Sequence, residues 1–263
     1  MKFLPDLSLT GWPQGASGVS APLPAPDPPL LPDLAYDARL LAFMPAQLFA
    51  DTAGTILAGV NDAVARLSDT SGTGTHATQP IVAARPHRRE GDGLDWLDFD
   101  GVDDRLVIAP DASWVKNGLS LLSVLRAPLS TDRLVLLGNA GTSETAIAGY
   151  MQDGETFNSS IGIGTPDYFA NGAFIGTNIN RTQAHAAWVT GGWVIAEVAH
   201  MDLVGSAIGT QGAQFPGWRS RTSELGPVEW GAQILIPTAI LDIGTNRADL
   251  VAHLANTFGI TLP

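Results

Sequence analysis

From residue 94 the chain is built of short apolar runs separated by turn residues. The runs are Leu94–Phe99, Arg105–Ala109, Leu119–Arg126, Arg133–Leu137, Ala146–Met151, Phe157–Ile163, Ala173–Thr177, Ala187–Val189, Trp193–Met201, Ala207–Ile208 and Gln233–Ile236. Between them stand Asp100-Gly101, Asn117-Gly118, Gly138-Asn139, Asp153-Gly154, Asn171-Gly172 and Gly191-Gly192. Such pairs supply the positive φ angles that tight hairpins need. Many short strands at this spacing predict an all-β, antiparallel sandwich rather than a helical fold. Residues 34–60 mix Leu40, Leu41, Phe43, Met44, Leu48 and Phe49 with Pro45 and Gly54, and read as short strands with a helical turn at Ala46–Ala50.

Two segments break the rhythm. Near the end, Leu250, Val251, Leu254 and Phe258 recur on one helical face. Asn246 can cap the first turn, Asp249 suits the positive end of the dipole, and Gly259 is a plausible stop. One amphipathic helix lying on the sandwich is predicted there. At the other end, residues 1–33 hold Pro5, Pro13, Pro22, Pro24, Pro26, Pro28, Pro29 and Pro32. Proline lacks an N–H and fixes φ, so this stretch reads as an extended arm outside the sheets. Phe3, Leu4, Leu7, Leu9 and Trp12 give it apolar anchors that a plain linker seldom carries. The division is therefore an arm over 1–33 and one sandwich over 34–263.

Composition narrows the function. The chain has 263 residues and a net charge of −12. That acid excess argues against nucleic acid and anionic membrane surfaces, both of which attract clustered Lys and Arg. No apolar run reaches the roughly 20 residues that span a bilayer, so membrane insertion is not expected. Lys2, Pro5 and Asp6 lack an apolar run behind them, so no signal peptide is expected. With no cysteine, disulfides, thiolate metal sites and cysteine nucleophiles are excluded.

Four pieces then support a resemblance: Gln47–Thr55, Val64–Asp69, the glycine-rich Ser71–Gln79, and Phe99-Asp100-Gly101-Val102-Asp103-Asp104. In this order they resemble the concanavalin A-like, laminin-G-like modules of bacteriophage virion proteins and bacterial surface proteins. The closing Phe258-Gly259-Ile260 is similar to the end of the helix that often finishes these modules. The turn before Val64 departs from the pattern, with Val60-Asn61-Asp62-Ala63 in place of a Gly-Asp-Pro-like turn. The resemblance implies a jelly-roll sandwich, a location in a phage-like particle assembled in the bacterial cytoplasm, and a homo-oligomer such as a trimer. It implies partners among other virion subunits, engaged through the arm, and a cell-surface polysaccharide.

Candidate chemistry is sparse. Glycan cleavage needs two facing carboxylates, and concanavalin-like glycanases carry Glu-x-Asp-x-Glu on one strand; here Glu197 stands alone among apolar neighbours. No histidine pair has helical zinc spacing, and His200 with Asp202 is the one local pair. No nucleophile elbow or phosphate loop appears. The acidic stretch Asp92, Asp95, Asp98, Asp100, Asp103 and Asp104 reads first as turn chemistry and second as a calcium site. Trp96 and Trp193 read as core. Trp218, Arg219 and Arg221, with Asn178 and Asn180 in other loops, form the candidate glycan contact, since sugar rings stack on indole and amides fix hydroxyls. The chain is expected to be a non-enzymatic host-attachment component, such as a tail fibre or spike. A ligand-free decoration subunit and a glycan-cleaving enzyme are the alternatives.

Overall fold

The computed structural model describes residues 41–71, 73–110, 117–129, 134–140, 146–150, 165–177, 179–204, 208–215 and 227–263. The arm anchors Phe3, Leu4, Leu7, Leu9 and Trp12 and the run Phe157–Ile163 lie outside them. Among the described residues the strands are β1 (Leu41–Phe49), β2 (Arg66–Asp69), β3 (Ala77–Thr78), β4 (His87–Gly91), β5 (Leu94–Phe99), β6 (Leu106–Ile108) and β7 (Asn117–Arg126). They continue as β8 (Leu134–Asn139), β9 (Ala146–Tyr150), β10 (Asp167–Ala170), β11 (Ala173–Thr177), β12 (Val194–Asp202), β13 (Ala213–Phe215) and β14 (Val228–Pro237). The α-helices are α1 (Arg181–Trp188), α2 (Ile208–Gln211), α3 (Thr238–Leu241) and α4 (Asn246–Phe258).

Every pairing is antiparallel, and the hydrogen-bonded path runs β11-β10-β12-β7-β14-β1-β2-β3-β6-β13-β8-β9. The hairpin β4-β5 adds to the first half, through β5 against β14. The path folds into two facing sheets, with β1 at the corner. Its first residues pair with β14 and its last with β2, and the register breaks between Phe43 and Leu48, around Pro45. Proline has no N–H to give a ladder, so a break is the expected consequence. The helical turn expected at Ala46–Ala50 is not formed, because Leu48 and Phe49 are held by the β2 ladder.

One core fills the space between the sheets. Leu119, Leu121, Leu125, Val194, Ala196, Val198 and Trp230 from the first sheet meet Leu67, Ala77, Leu106, Leu134, Leu136 and Phe215 from the second. A polar bridge crosses it: Ser123 Oγ donates to Gln233 Oε1 (2.8 Å), and Gln233 Nε2 donates to the Leu136 carbonyl (3.3 Å). A second core lies on the other side of the first sheet, where Leu122, Val124, Ile195, Ala232, Ile234 and Ile236 pack on Leu250, Val251, Leu254 and Phe258 of α4. Strand alternation produces this division, since neighbouring residues point to opposite faces.

On β14 the alternation is interrupted. Val228 and Trp230 face the inter-sheet core, whereas Ala232, Ile234 and Ile236 face α4. The register against β7 shifts between Trp230 and Ala232, a bulge at Gly231. A Cβ at Gly231 would lie 2.7 Å from Phe258 Cζ, so only glycine fits beneath the helix end.

Three further expectations are corrected. Ala187–Val189 is not a strand: Trp188 ends α1, whose Asn180 cap accepts from the Gln183 N–H while Gln183 accepts from the Asn180 N–H. That reciprocal box satisfies two otherwise orphaned donors and fixes a helix. Ile208 opens helix α2 rather than a strand. Asn246 is the first residue of α4 and not its cap; Thr245 takes the cap position, and Asn246 Nδ2 donates to the Ile240 carbonyl instead (2.8 Å). At the far end Gly259 is left-handed (φ 63°) and closes the helix.

Candidate functional site

Helix α4 lies along β12, with Arg247 at Glu197 and Phe258 at Trp193. It covers the apolar middle of the outer sheet face and leaves polar groups at both ends.

At the Phe258 end, Arg126 is the centre. Its guanidinium carbon lies 5.5 Å from the Trp96 ring centre and 5.0 Å from that of Trp193, and the two indoles meet edge to face at 6.1 Å. Arg126 also pairs with Glu229, and Arg89 with Asp98 (3.0 Å). Asp98 and Glu229 are directly opposite each other across β5 and β14, so both carboxylates belong to one surface. A cleft of about 230 Å3 opens beside them, lined by Arg126, Asp98, Glu229, Pro128, Gly191 and Pro227. Trp96 and Trp193 are half-buried: Trp193 packs against the second core and on Phe258, as a core reading expects, and both rings also border this polar patch. The signal available was Arg126 at the end of an apolar run, which has to snorkel outward over neighbouring rings.

At the Arg247 end, five ionisable side chains meet. Arg247 binds Glu197 through Nη1 and Asp242 through Nη2 (2.7 Å). His200 lies between two carboxylates, with Nδ1 3.0 Å from Asp167 and Nε2 3.2 Å from Asp242. Thr177 Oγ1 donates to Asp167 at 2.5 Å. Glu197 is 1% exposed, and its Oε2 has no hydrogen-bond partner among the described residues. Burial lowers the Arg247 pKa from its ordinary value, while the charge of Asp167 pushes it back up. His200 has a left-handed backbone (φ 60°) where β12 slips register against β7 between Val198 and Met201. That irregularity defeats a parity argument, and it sends His200 to Asp167 and Asp242 rather than to Asp202. Asp202 instead accepts from the Val204 N–H (2.8 Å). Asp167 and Asp242 come from distant segments, so nothing local in the sequence announced them.

The glycine-rich loop that carried the family resemblance is wound on Asp69. Its carboxylate accepts from the N–H groups of Ser71 and Thr73 (both 3.0 Å), from Gly74 (3.2 Å), and from both hydroxyls (2.8 Å each). This is scaffold chemistry.

In the acidic turn, Asp100 accepts from the Val102 N–H (2.7 Å), and the Asp100 N–H donates to Asp104 (3.0 Å). Ligand atoms of Asp100, Asp103 and Asp104 lie within 4.8 Å of one another. This is where a calcium ion would be held. Burial, with help from the neighbouring carboxylates, pushes the Asp104 pKa up to about 7. The folded value is above the ordinary one of 3.8, so the associated stability is fully present below about pH 4 and lost as pH rises towards 7. Asp104→Asn should raise the melting temperature at pH 8 and not at pH 4. We expect a gain of about 2 kcal/mol at pH 8, part of what linkage at ~1.4 kcal/mol per unit allows. A gain of equal size at both pH values would refute this assignment. A calcium-dependent rise in melting temperature, lost in the variant, would assign the turn to metal.

Of the sequence candidates, Trp218, Arg219, Arg221 and Asn178 lie outside the described residues, and Asn180 caps α1. No described helix is long and apolar enough to cross a membrane. Searches against family models, curated proteins and solved structures gave no match.

Proposed function

We propose that this chain is a non-enzymatic, glycan-binding module of a phage-like particle, a jelly-roll sandwich of the concanavalin A type serving in a tail fibre, spike or similar attachment part. The observation that carries the glycan reading is the patch where Arg126 lies across Trp96 and Trp193 beside the opposed carboxylates Asp98 and Glu229. Sugar hydroxyls want planar donors and carboxylate acceptors next to an apolar surface, and these residues offer all three, on β5, β7 and β14 and at the entry to β12. Asp98 and Glu229 each have an arginine partner, which suits fixed acceptors better than a proton-donating pair. The particle context rests on the resemblance of the 47–104 segments. In this reading Phe3, Leu4, Leu7, Leu9 and Trp12 anchor the arm to other virion subunits, Trp218, Arg219, Arg221 and Asn178 stay sequence candidates for glycan contact while Asn180 is taken up in capping α1, and oligomerisation multiplies weak contacts by about 10²–10⁴.

A glycan array probed with the oligomeric protein tests this. We expect binding to a bacterial surface polysaccharide, weakened at least tenfold by Arg126→Ala with circular dichroism unchanged. No binding by the native oligomer would leave a ligand-free decoration subunit. Release of reducing ends from the polysaccharide would make the protein a glycan-cleaving enzyme.

A further inference from the structure

The second polar cluster borders a cavity that the glycan reading does not use. It has a volume of about 510 Å3 and opens between the β10–β11 turn and the segment from α3 into α4. Buried Leu241 and Val251, from the end of the second core, line it, and the exposed Ala173 and Ala248 extend the apolar surface. We propose that this cavity binds a neutral acyl chain, its alkyl part against these apolar walls and its carbonyl oxygen on the side-chain amide of Asn171.

The donor is fixed by the turn that carries it. Asn171 has a left-handed backbone (φ 51°), a conformation that Asn tolerates. Its N–H donates to the Ile195 carbonyl (2.9 Å), and its Oδ1 accepts from the Ile195 N–H (2.9 Å). A backbone N–H needs an acceptor, so the oxygen of the amide is identified by this bond and Nδ2 remains as the donor group. Among the described residues no acceptor faces Nδ2, and the atom is open to solvent. Asn171 lines the cavity beside Gly172 and Ala173. The turn also rests on α4, since a Cβ at Gly172 would lie 3.1 Å from Val251 Cγ1. The amide is therefore held in place before any ligand arrives.

The charged groups of the lining are engaged with each other, which points to a ligand without charge. Arg247 Nη2 donates to Asp242 Oδ1 (2.7 Å), Arg247 Nη1 donates to Glu197, and Asp242 Oδ2 lies 3.2 Å from His200 Nε2. An ion would have to divide the Arg247–Asp242 pair and leave one partner uncompensated, which costs more than the pair itself contributes. A neutral ligand leaves the pair intact. What the lining offers beyond that pair is an amide donor next to an apolar surface. A carbonyl on an alkyl chain complements both parts. The chain gains by leaving water, and the carbonyl exchanges its water hydrogen bond for one to Asn171 instead of losing it. The volume lies within the roughly 300–1,000 Å3 of small-molecule sites, which combine apolar walls with a few placed polar groups.

NMR titration of the full chain with 2-heptanone tests the proposal. Its isostere 2-methyl-1-heptene, in which a methylene replaces the carbonyl oxygen, is the control. We expect saturable 2-heptanone binding with shifts at the amides of Ala173, Ala248 and Val251. Asn171→Asp keeps the acceptor for the Ile195 N–H and tolerates the turn, but exchanges the donor for a second acceptor. It should weaken 2-heptanone at least fivefold and leave the alkene within twofold, so the alkene reports that the cavity is intact. Ala248→Phe, at an exposed helix position, should fill the space and abolish both. Hexylammonium and hexanoate should bind more weakly than 2-heptanone. No saturable binding of 2-heptanone, an equal response of ketone and alkene to Asn171→Asp, or tighter binding of either ion would overturn the proposal. Comparing methyl hexanoate with N-methylhexanamide then separates an ester source of the acyl chain from an amide source, and tighter binding of either supports the site. Glycan binding at Arg126 is read independently, so either reading can fail alone.

Discussion

Arg247→Met should cost about 3–5 kcal/mol of stability, read from urea unfolding at neutral pH. Glu197 explains the size. It is buried beneath α4 on a strand whose flanking residues Ala196 and Val198 are fully enclosed, and Arg247 is its one charged partner among the described residues. Removing a single member of a buried pair leaves the other charge without compensation, and that is where the cost arises. The same reasoning predicts rescue. Adding Glu197→Gln to Arg247→Met removes the stranded charge and should return most of the loss. If the double variant is no more stable than Arg247→Met, Arg247 acts through packing on Phe169, whose ring centre lies 4.7 Å from its guanidinium carbon.

Phe258→Ala should be comparably severe, at about 3–5 kcal/mol, because a large buried ring is lost from the second core. Gly231→Ala, a change of one methyl, should cost about 1–3 kcal/mol at the same place by overfilling it. The pair is informative in combination. Once Phe258 is gone, the alanine at 231 meets an empty space, so the double variant should be more stable than the sum of the two losses. Strict additivity would show that the Gly231 effect lies in the backbone of the bulge and not in the ring above it.

How legible these features were depended on range. The β5 and β11 limits follow from apolar runs closed by turn pairs, and the two-residue Asn171-Gly172 turn has the positive φ angles (51° and 81°) that such pairs supply. The apolar face of α4 was equally local, since Leu250, Val251, Leu254 and Phe258 repeat at helical spacing. Strand β4 was not legible as a strand. His87-Arg88-Arg89-Glu90-Gly91 has no apolar alternation and is ordered by its partner β5 and the turn at Asp92-Gly93 (φ 54° and 77°). Asp92 was read with the acidic stretch, which hid the hairpin. Helix α1 was missed because its capping box is polar and its apolar face short. The two polar ends of α4 were the least legible. Arg126, Trp96, Trp193 and Glu229 come from four separate segments, and Asp167, His200 and the Asp242–Arg247 stretch from three. Their meeting is a product of the sheet order, to which local pattern is blind.

The face switch at Gly231 has a wider meaning for how the molecule opens. A single ribbon of backbone supplies side chains to both hydrophobic layers, so neither layer can loosen without disturbing the other's ladder. Amide hydrogens along β14 should then exchange together and slowly, as one cooperative unit spanning three tiers of structure. The closing helix is not an ornament laid on a finished sandwich. Peeled away, it would wet the back of the first sheet, from Leu122 to Ile236, and leave a self-adhesive apolar surface.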